Sequence, residues 1–195
     1  MLLLASQSPR RAELLRQLNV AFDTLSCDID ETCRPNEGSE EYVSRLAQEK
    51  SVAGWNACDK KHYVAALGSD TSVVIDDRIL GKPKSQQDFM QMMSLLSSNA
   101  HYVRTAVSMV NSETSKTILV STKVIFKSLT PAEIDWYWST GEPRDKAGGY
   151  AIQGLGGQFI KHIEGSYTAV VGLPLYETAE LLKQFEISPI GSMSS

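Results

Sequence analysis

Strand-like and helix-like segments alternate from end to end of this chain, and that alternation predicts an α/β fold. Two long strand-like runs, Tyr102–Val110 and Thr117–Phe126, flank the polar stretch Asn111–Ser115 as the arms of a hairpin, so the sheet is expected to be mixed rather than wholly parallel. The 195 residues, 42% apolar and 22% charged, have the balance of a soluble globular protein that can bury a sizeable core. No repeat or low-complexity linker divides them. Residues 1–187 are therefore read as one domain and residues 188–195 as a polar tail.

In chain order, strands are expected at Leu2–Ala5, Phe22–Ser26, Tyr63–Leu67, Ser72–Ile75, Tyr102–Val110, Thr117–Phe126 and Gly157–Ile163. Helices are expected at Pro9–Leu18, Glu40–Ala57, Gln86–Leu96, Pro131–Ser139 and Leu175–Phe185. Two helix starts are well marked: Ser85 with Asp88 three residues on, and Thr130-Pro131-Ala132-Glu133, a capping box with proline at the first helical position.

A net charge of −4 disfavours extended nucleic acid as a partner, and local basic clusters in an acidic chain suit a small anionic ligand better. Cys27, Cys33 and Cys58 have neither zinc nor redox spacing and read as free thiols of a reducing compartment. The apolar start is too short for a signal segment and no long apolar run follows. A cytoplasmic protein without membrane contact is expected.

The segment Ser6-Gln7-Ser8-Pro9-Arg10-Arg11 runs against ordinary helix electrostatics. Ser8 is a good N-cap and Pro9 fits the first helical position, yet two arginines occupy a first turn that favours acidic side chains. Either an anion such as phosphate sits among them, or both point into solvent. Lys50 falls on the apolar stripe of Val43, Leu46, Ala47, Ala53 and Gly54, where it must snorkel out, pair with an acid or meet an anion. Asp70 follows the apolar run Val64–Leu67 and Gly68, a place where α/β proteins put working acids and also where simple turns form. Lys82 lies in the turn Gly81-Lys82-Pro83. Asp28-Ile29-Asp30-Glu31 is an acidic cluster that hard cations favour, or a solvated loop.

Residues 145–157 hold five glycines in thirteen positions but fit neither a dinucleotide fingerprint nor a Walker loop. Such density points to backbone pressed against a ligand or to tight crossing of segments. Gln153, with both a donor and an acceptor, suits a pyrimidine edge. His62, His101 and His162 are isolated and receive no catalytic role.

Together these segments, with Leu46-Ala47-x-x-Lys50, Gly68-x-Asp70-Thr71, Asp145-Lys146-Ala147-Gly148-x-Tyr150-x-Ile152-Gln153-Gly154, Gly165-Ser166-Tyr167 and Val171-Gly172-Leu173-Pro174, resemble the Maf (septum formation) family of nucleotide pyrophosphatases over residues 2–185. Arg10, Thr71 and Gln153 resemble its dTTP/UTP branch; Ser69 and Gly149 stand where alanine is frequent. The resemblance implies a long curved central sheet flanked by helices, two lobes with a cleft, similar to inosine-triphosphate pyrophosphatases. It implies hydrolysis of dTTP and UTP to the monophosphate and pyrophosphate with Mg2+ or Mn2+. It further implies Asp70 as proton acceptor, Arg10, Thr71 and Gln153 as specificity positions, Ser8, Arg11, Lys50 and Lys82 as phosphate contacts, and Glu31 with Asp70 at the metal. A nucleotide-binding regulator of cell division and an inosine-triphosphate house-cleaning enzyme are the alternatives. Members are often homodimers, and Trp136, Tyr137 and Trp138 would suit an interface, although three adjacent aromatics cannot share one helical face.

Overall fold

The computed structural model describes residues 1–188; the polar tail expected at 188–195 lies, from 189 onward, outside the described residues. In chain order the elements are β1 (Leu2–Leu4), α1 (Pro9–Arg16), β2 (Phe22–Thr24), α2 (Ser39–Ala57), β3 (Ala65–Ile75), β4 (Arg78–Leu80), α3 (Gln86–Leu96), β5 (Ala100–Val110), β6 (Ser115–Phe126), α4 (Pro131–Ser139), β7 (Ile160–Glu164), α5 (Tyr167–Val171) and α6 (Leu175–Gln184). Three 3-10 turns, Glu142–Asp145, Ala147–Gly149 and Leu155–Phe159, lie between α4 and β7.

The sheet has seven strands in the order β2-β1-β3-β5-β6-β7, with β4 added to β3. It is mixed, as the hairpin predicts: β1 runs parallel to β2 and β3, whereas β4 and β7 pair antiparallel with β3 and β6. The expected caps form. Ser85 Oγ accepts from the Asp88 amide at 3.1 Å. The Thr130 amide donates to Glu133 Oε2 at 2.8 Å while Thr130 Oγ1 accepts from the Glu133 amide at 3.3 Å.

By its contacts the chain divides into two compact units. Among the described residues, the first comprises Met1–Asp70, Thr105–Val120 and 172–188; the second comprises Thr71–Arg104 and Ser121–Val171. The first buries Leu3, Trp55, Ala66 and Val110 in one cluster, and Val43, Ala47 and Ala106 in another. The second is more aromatic. Phe126 meets Tyr150 edge-on at 4.9 Å between ring centres, and Tyr137 meets Phe159 at 5.1 Å.

Three differences from the sequence reading have identifiable physical causes. Tyr63–Leu67 and Ser72–Ile75 are one strand, β3, that runs straight through Gly68-Ser69-Asp70-Thr71. Gly68 makes no turn there: a Cβ on it would lie 2.4 Å from the Ala47 carbonyl oxygen and 2.5 Å from the Ser51 nitrogen, so it is the point where α2 crosses the strand. The strand expected at Gly157–Ile163 begins only at Ile160, because Leu155–Phe159 coils into a 3-10 turn. Of the adjacent aromatics on α4, Tyr137 is fully buried and Trp138 stacks on Phe89 at 5.2 Å, leaving Trp136 as the exposed one.

Candidate active site

Within the first unit, Asp70 faces α2. Ala66 and Gly68 approach that helix from the same side of β3, and strand alternation brings Asp70 to the same face and turns Thr71 to the other. The close crossing at Gly68 sets α2 near enough for Lys50 Nζ to donate to Asp70 Oδ1 at 2.7 Å. Glu31 Oε1 lies 2.7 Å from the same nitrogen. Of the three options open to a lysine on an apolar stripe, pairing is the one realised. Lys50 and Asp70 are nearly buried, with side chains 13% and 11% exposed, while Glu31 is 53% exposed. A buried pair of this kind is costly to break from one side, about 3–5 kcal/mol, because the surviving charge is left uncompensated.

Glu31 sits in a segment without regular structure that α2 holds from outside. Tyr42 Oη donates to the Glu31 carbonyl at 2.9 Å, and Arg45 Nη2 donates to the Thr32 carbonyl at 3.1 Å. Arg45 also makes a two-pronged contact with Glu37, at 2.5 and 2.8 Å, which holds the Glu37 carboxyl down at about 2. Burial, with Asp70 and then Glu31 adding to it, pushes the Tyr42 phenol up to about 12.

Helix α1 begins as the sequence predicts: Ser8 Oγ accepts from the Arg11 amide at 3.4 Å, Pro9 follows, and no acid stands in the first turn. Arg10 is half-buried beside it. Arg11 is neither solvated nor spare. Its Nε donates to the Gly172 carbonyl at 2.9 Å and its Nη1 to Ser6 Oγ at 3.4 Å. Burial pulls the guanidinium below its ordinary value, Asp70 opposes that, Arg10 adds to it, and Glu31 opposes it again. The Gly172 carbonyl takes a second donor, Ser69 Oγ at 3.0 Å. The structural parts of Ser69 and Gly172 were invisible in sequence because 103 residues separate them.

The second unit carries the other expected residues. Thr71 is half-buried; Lys82 and Gln153 are exposed. The Lys82 turn and the glycine-rich stretch meet through the Gly148 amide, which donates to the Gly81 carbonyl at 2.9 Å. The glycines of that stretch pack against protein. A Cβ at Gly148 would lie 2.9 Å from Val73, and one at Gly149 2.8 Å from Phe89. Tight crossing of segments accounts for them. Glu142 was missed by sequence reasoning: it accepts from Tyr137 Oη at 2.6 Å, from the Leu155 amide at 2.9 Å and from the Gly156 amide at 3.1 Å. Its one available signal was a carboxylate placed between an aromatic helix and a glycine-rich loop.

Chemically, the first unit offers two carboxylates joined by one ammonium, with a guanidinium whose charge is coupled to both acids. Hard oxygen donors suit Mg2+ or Mn2+. Among the described residues no three His, Cys, Asp or Glu side chains are grouped to hold a metal alone. Two carboxylates nevertheless fit the way Mg2+ is usually bound, by one or two acids with phosphate oxygens and water completing the shell. Among the described residues, no helix is long and apolar enough to cross a membrane.

The dTTP/UTP pyrophosphatase of Pseudoalteromonas atlantica is 56% identical over 189 residues, covering 96% of this chain and 98% of its own length. That of Vibrio parahaemolyticus is 53% identical over 184 residues, covering 94% and 96%. That of Colwellia psychrerythraea is 53% identical over 183 residues, covering 93% and 86%. Among solved structures, the Staphylococcus aureus Ham1 protein is similar at a TM-score of 0.42 and 12% identity over 64% of this chain and 71% of that one. The Maf-like protein family matches residues 1–185, and the chain belongs to that family.

Proposed function

We propose that this protein is a nucleoside triphosphate pyrophosphatase, hydrolysing dTTP and UTP to the monophosphate and pyrophosphate with a divalent cation in the cytoplasm. The observation that carries the reading is Lys50 held at 2.7 Å from both Asp70 and Glu31, in a unit that also seats Arg11 at the start of α1. The names of relatives more than half identical across nearly the whole chain support the same substrates.

In this reading Asp70 takes the proton of the attacking water as its oxygen bonds to the α-phosphorus, and the bond from that phosphorus to the bridging oxygen of pyrophosphate breaks. Ser8, Arg11 and Lys50, and from the second unit Lys82, are assigned to the phosphate chain, where they neutralise charge moving onto the leaving group. Glu31 and Asp70 are the residues that would hold Mg2+ or Mn2+, which when bound neutralises phosphate oxygens and acidifies water. Arg10, Thr71 and Gln153 are assigned to specificity. The Gln153 amide can match both the O4 acceptor and the N3–H donor of uracil and thymine, whereas cytosine reverses them.

The test is a panel of common and modified nucleoside triphosphates at matched concentration, with pyrophosphate release read by a coupled phosphatase. dTTP and UTP are expected to be good substrates, CTP poorer, and purine triphosphates poor. Binding of dTTP without release of pyrophosphate would instead identify a nucleotide-binding regulator. Gln153→Glu, which cannot donate to O4, should cut kcat/KM for dTTP more than for CTP; an equal loss for both would show that Gln153 supports its loop and does not read the base.

A further inference from the structure

The residues around Gln153 are held at two points by a pair of side chains that the proposed chemistry does not use. Tyr137 Oη accepts from the Ala151 amide at 3.2 Å and donates to Glu142 Oε1 at 2.6 Å. Glu142 then accepts from the amides of Leu155 and Gly156 at 2.9 and 3.1 Å. Between these anchors the chain turns, with the Gly154 amide donating to the Ala151 carbonyl at 3.2 Å, and Gln153 stands exposed at the tip.

The surrounding sequence is shaped to this pair. A Cβ at residue 154 would fall 2.3 Å from Glu142 Oε2, and one at residue 156 would fall 2.5 Å from Tyr137 Oη. The two glycines make room for the carboxylate and the phenol. The Tyr137 ring is fully buried and meets Phe159 edge-on at 5.1 Å, so the anchor is seated in the core of its unit. Burial opposes the Glu142 charge, yet the bonds from Tyr137, Leu155 and Gly156 outweigh it and its carboxyl titrates below the ordinary range. The same pairing, after burial, pushes the Tyr137 phenol well above its ordinary value.

We infer that Tyr137 and Glu142 are positioning residues for base selection, fixing the turn at residues 151–156 so that the Gln153 side chain leaves the backbone at one place and in one direction; this rests on Gln153 reading the base. A glutamine amide can turn about its own side-chain bonds to suit cytosine or uracil, so discrimination first needs the residue held at a fixed distance and direction from the base, which a backbone that does not move supplies. The pair supplies that by hydrogen bonds to three loop amides, one through Tyr137 and two through a charged carboxylate, the stronger kind.

The experiment compares Tyr137→Phe, which keeps the buried ring, and Glu142→Gln, which turns an amide N–H toward amides it should accept from. Gln153→Ala serves as reference. For each, kcat/KM is measured with dTTP and CTP, inhibition is measured with inorganic tripolyphosphate, which has no base, and amide exchange at Leu155 and Gly156 is followed without substrate. Both pair variants are expected to raise the dTTP KM about tenfold with kcat held within about threefold, and to lower the dTTP-to-CTP ratio about tenfold. Tripolyphosphate inhibition should not change. Exchange at Leu155 and Gly156 should speed up about tenfold or more in Glu142→Gln.

If Gln153→Ala lowers the ratio and the pair variants leave it intact, the positioning role is overturned while base reading survives. If Gln153→Ala leaves the ratio intact, base reading itself fails and this inference goes with it. A loss of tripolyphosphate affinity equal to the loss for dTTP would show general damage and overturn the assignment to base selection.

Discussion

Lys50 Nζ donates to Asp70 Oδ1 at 2.7 Å across the crossing of α2 and β3. Asp70 therefore holds a cation contact before any ligand arrives, and its carboxylate is fixed in place on a strand. Asp70→Asn keeps that shape but cannot take a proton. Turnover of dTTP should fall by at least about 100-fold, while calorimetric binding of the nucleotide stays measurable. Near-normal rates would remove Asp70 from the role of proton acceptor.

Lys82 and Arg11 should separate binding from stability. Lys82 is exposed in its turn, so Lys82→Ala should raise the dTTP KM about tenfold and leave the melting temperature within about 1 °C. Arg11 also holds the Gly172 carbonyl at 2.9 Å, so Arg11→Ala should weaken binding and lower Tm by several degrees, corresponding to about 1–3 kcal/mol. Equal Tm values for the two variants would sink this distinction.

At Gly68 even one methyl group should be felt. Gly68→Ala would drive a Cβ into the backbone of Ala47 and Ser51 on α2, where neither atom has room to retreat without moving the helix. Destabilisation of about 1–3 kcal/mol in urea unfolding is expected, with a loss of activity as Lys50 shifts with its helix. A variant as stable and active as the parent would show that the crossing is loose.

His101 predicts an acid-side loss of stability unrelated to turnover. It is 1% exposed, its Nε2 lies 2.7 Å from Tyr150 Oη, and its Nδ1 has no hydrogen-bond partner among the described residues. Burial lowers its pKa from 6.5 to about 4. The unfolded chain takes up that proton first, so this contribution is complete above the ordinary histidine value and is lost as pH falls from 6.5 to about 4. The loss is about 3 kcal/mol on an order-of-magnitude scale. Urea midpoints measured across that range should slope downward toward acid in the parent and flatten in His101→Gln; parallel slopes would assign the acid lability elsewhere.

Features set by near neighbours were legible in the sequence. The Ser85 and Thr130 caps each lie within four successive residues, and the helix period marked Lys50 as a charge on a buried stripe, though not which of its three outlets it takes. What escaped was decided by segments far apart. Gly68 was read as a turn because glycine usually marks one, whereas its reason is a helix 2.4 Å from where its side chain would be. The glycine-rich stretch was legible as a place of close approach, but not as one whose occupant is the Glu142 carboxylate. Arg11 was legible as an anomaly of charge; its carbonyl partner lies 161 residues away.

The two units are interleaved along the chain: the first is gathered from three stretches and the second from two, and the chain changes unit within β3, β5 and β6 and again between α5 and α6. Neither can be copied out as a contiguous stretch of gene, so neither is available to recombination as a module to be lost, duplicated or grafted alone. A truncation meant to isolate either unit severs strands instead of linkers. Heritable change in one unit must come residue by residue, with the other always present in the same molecule.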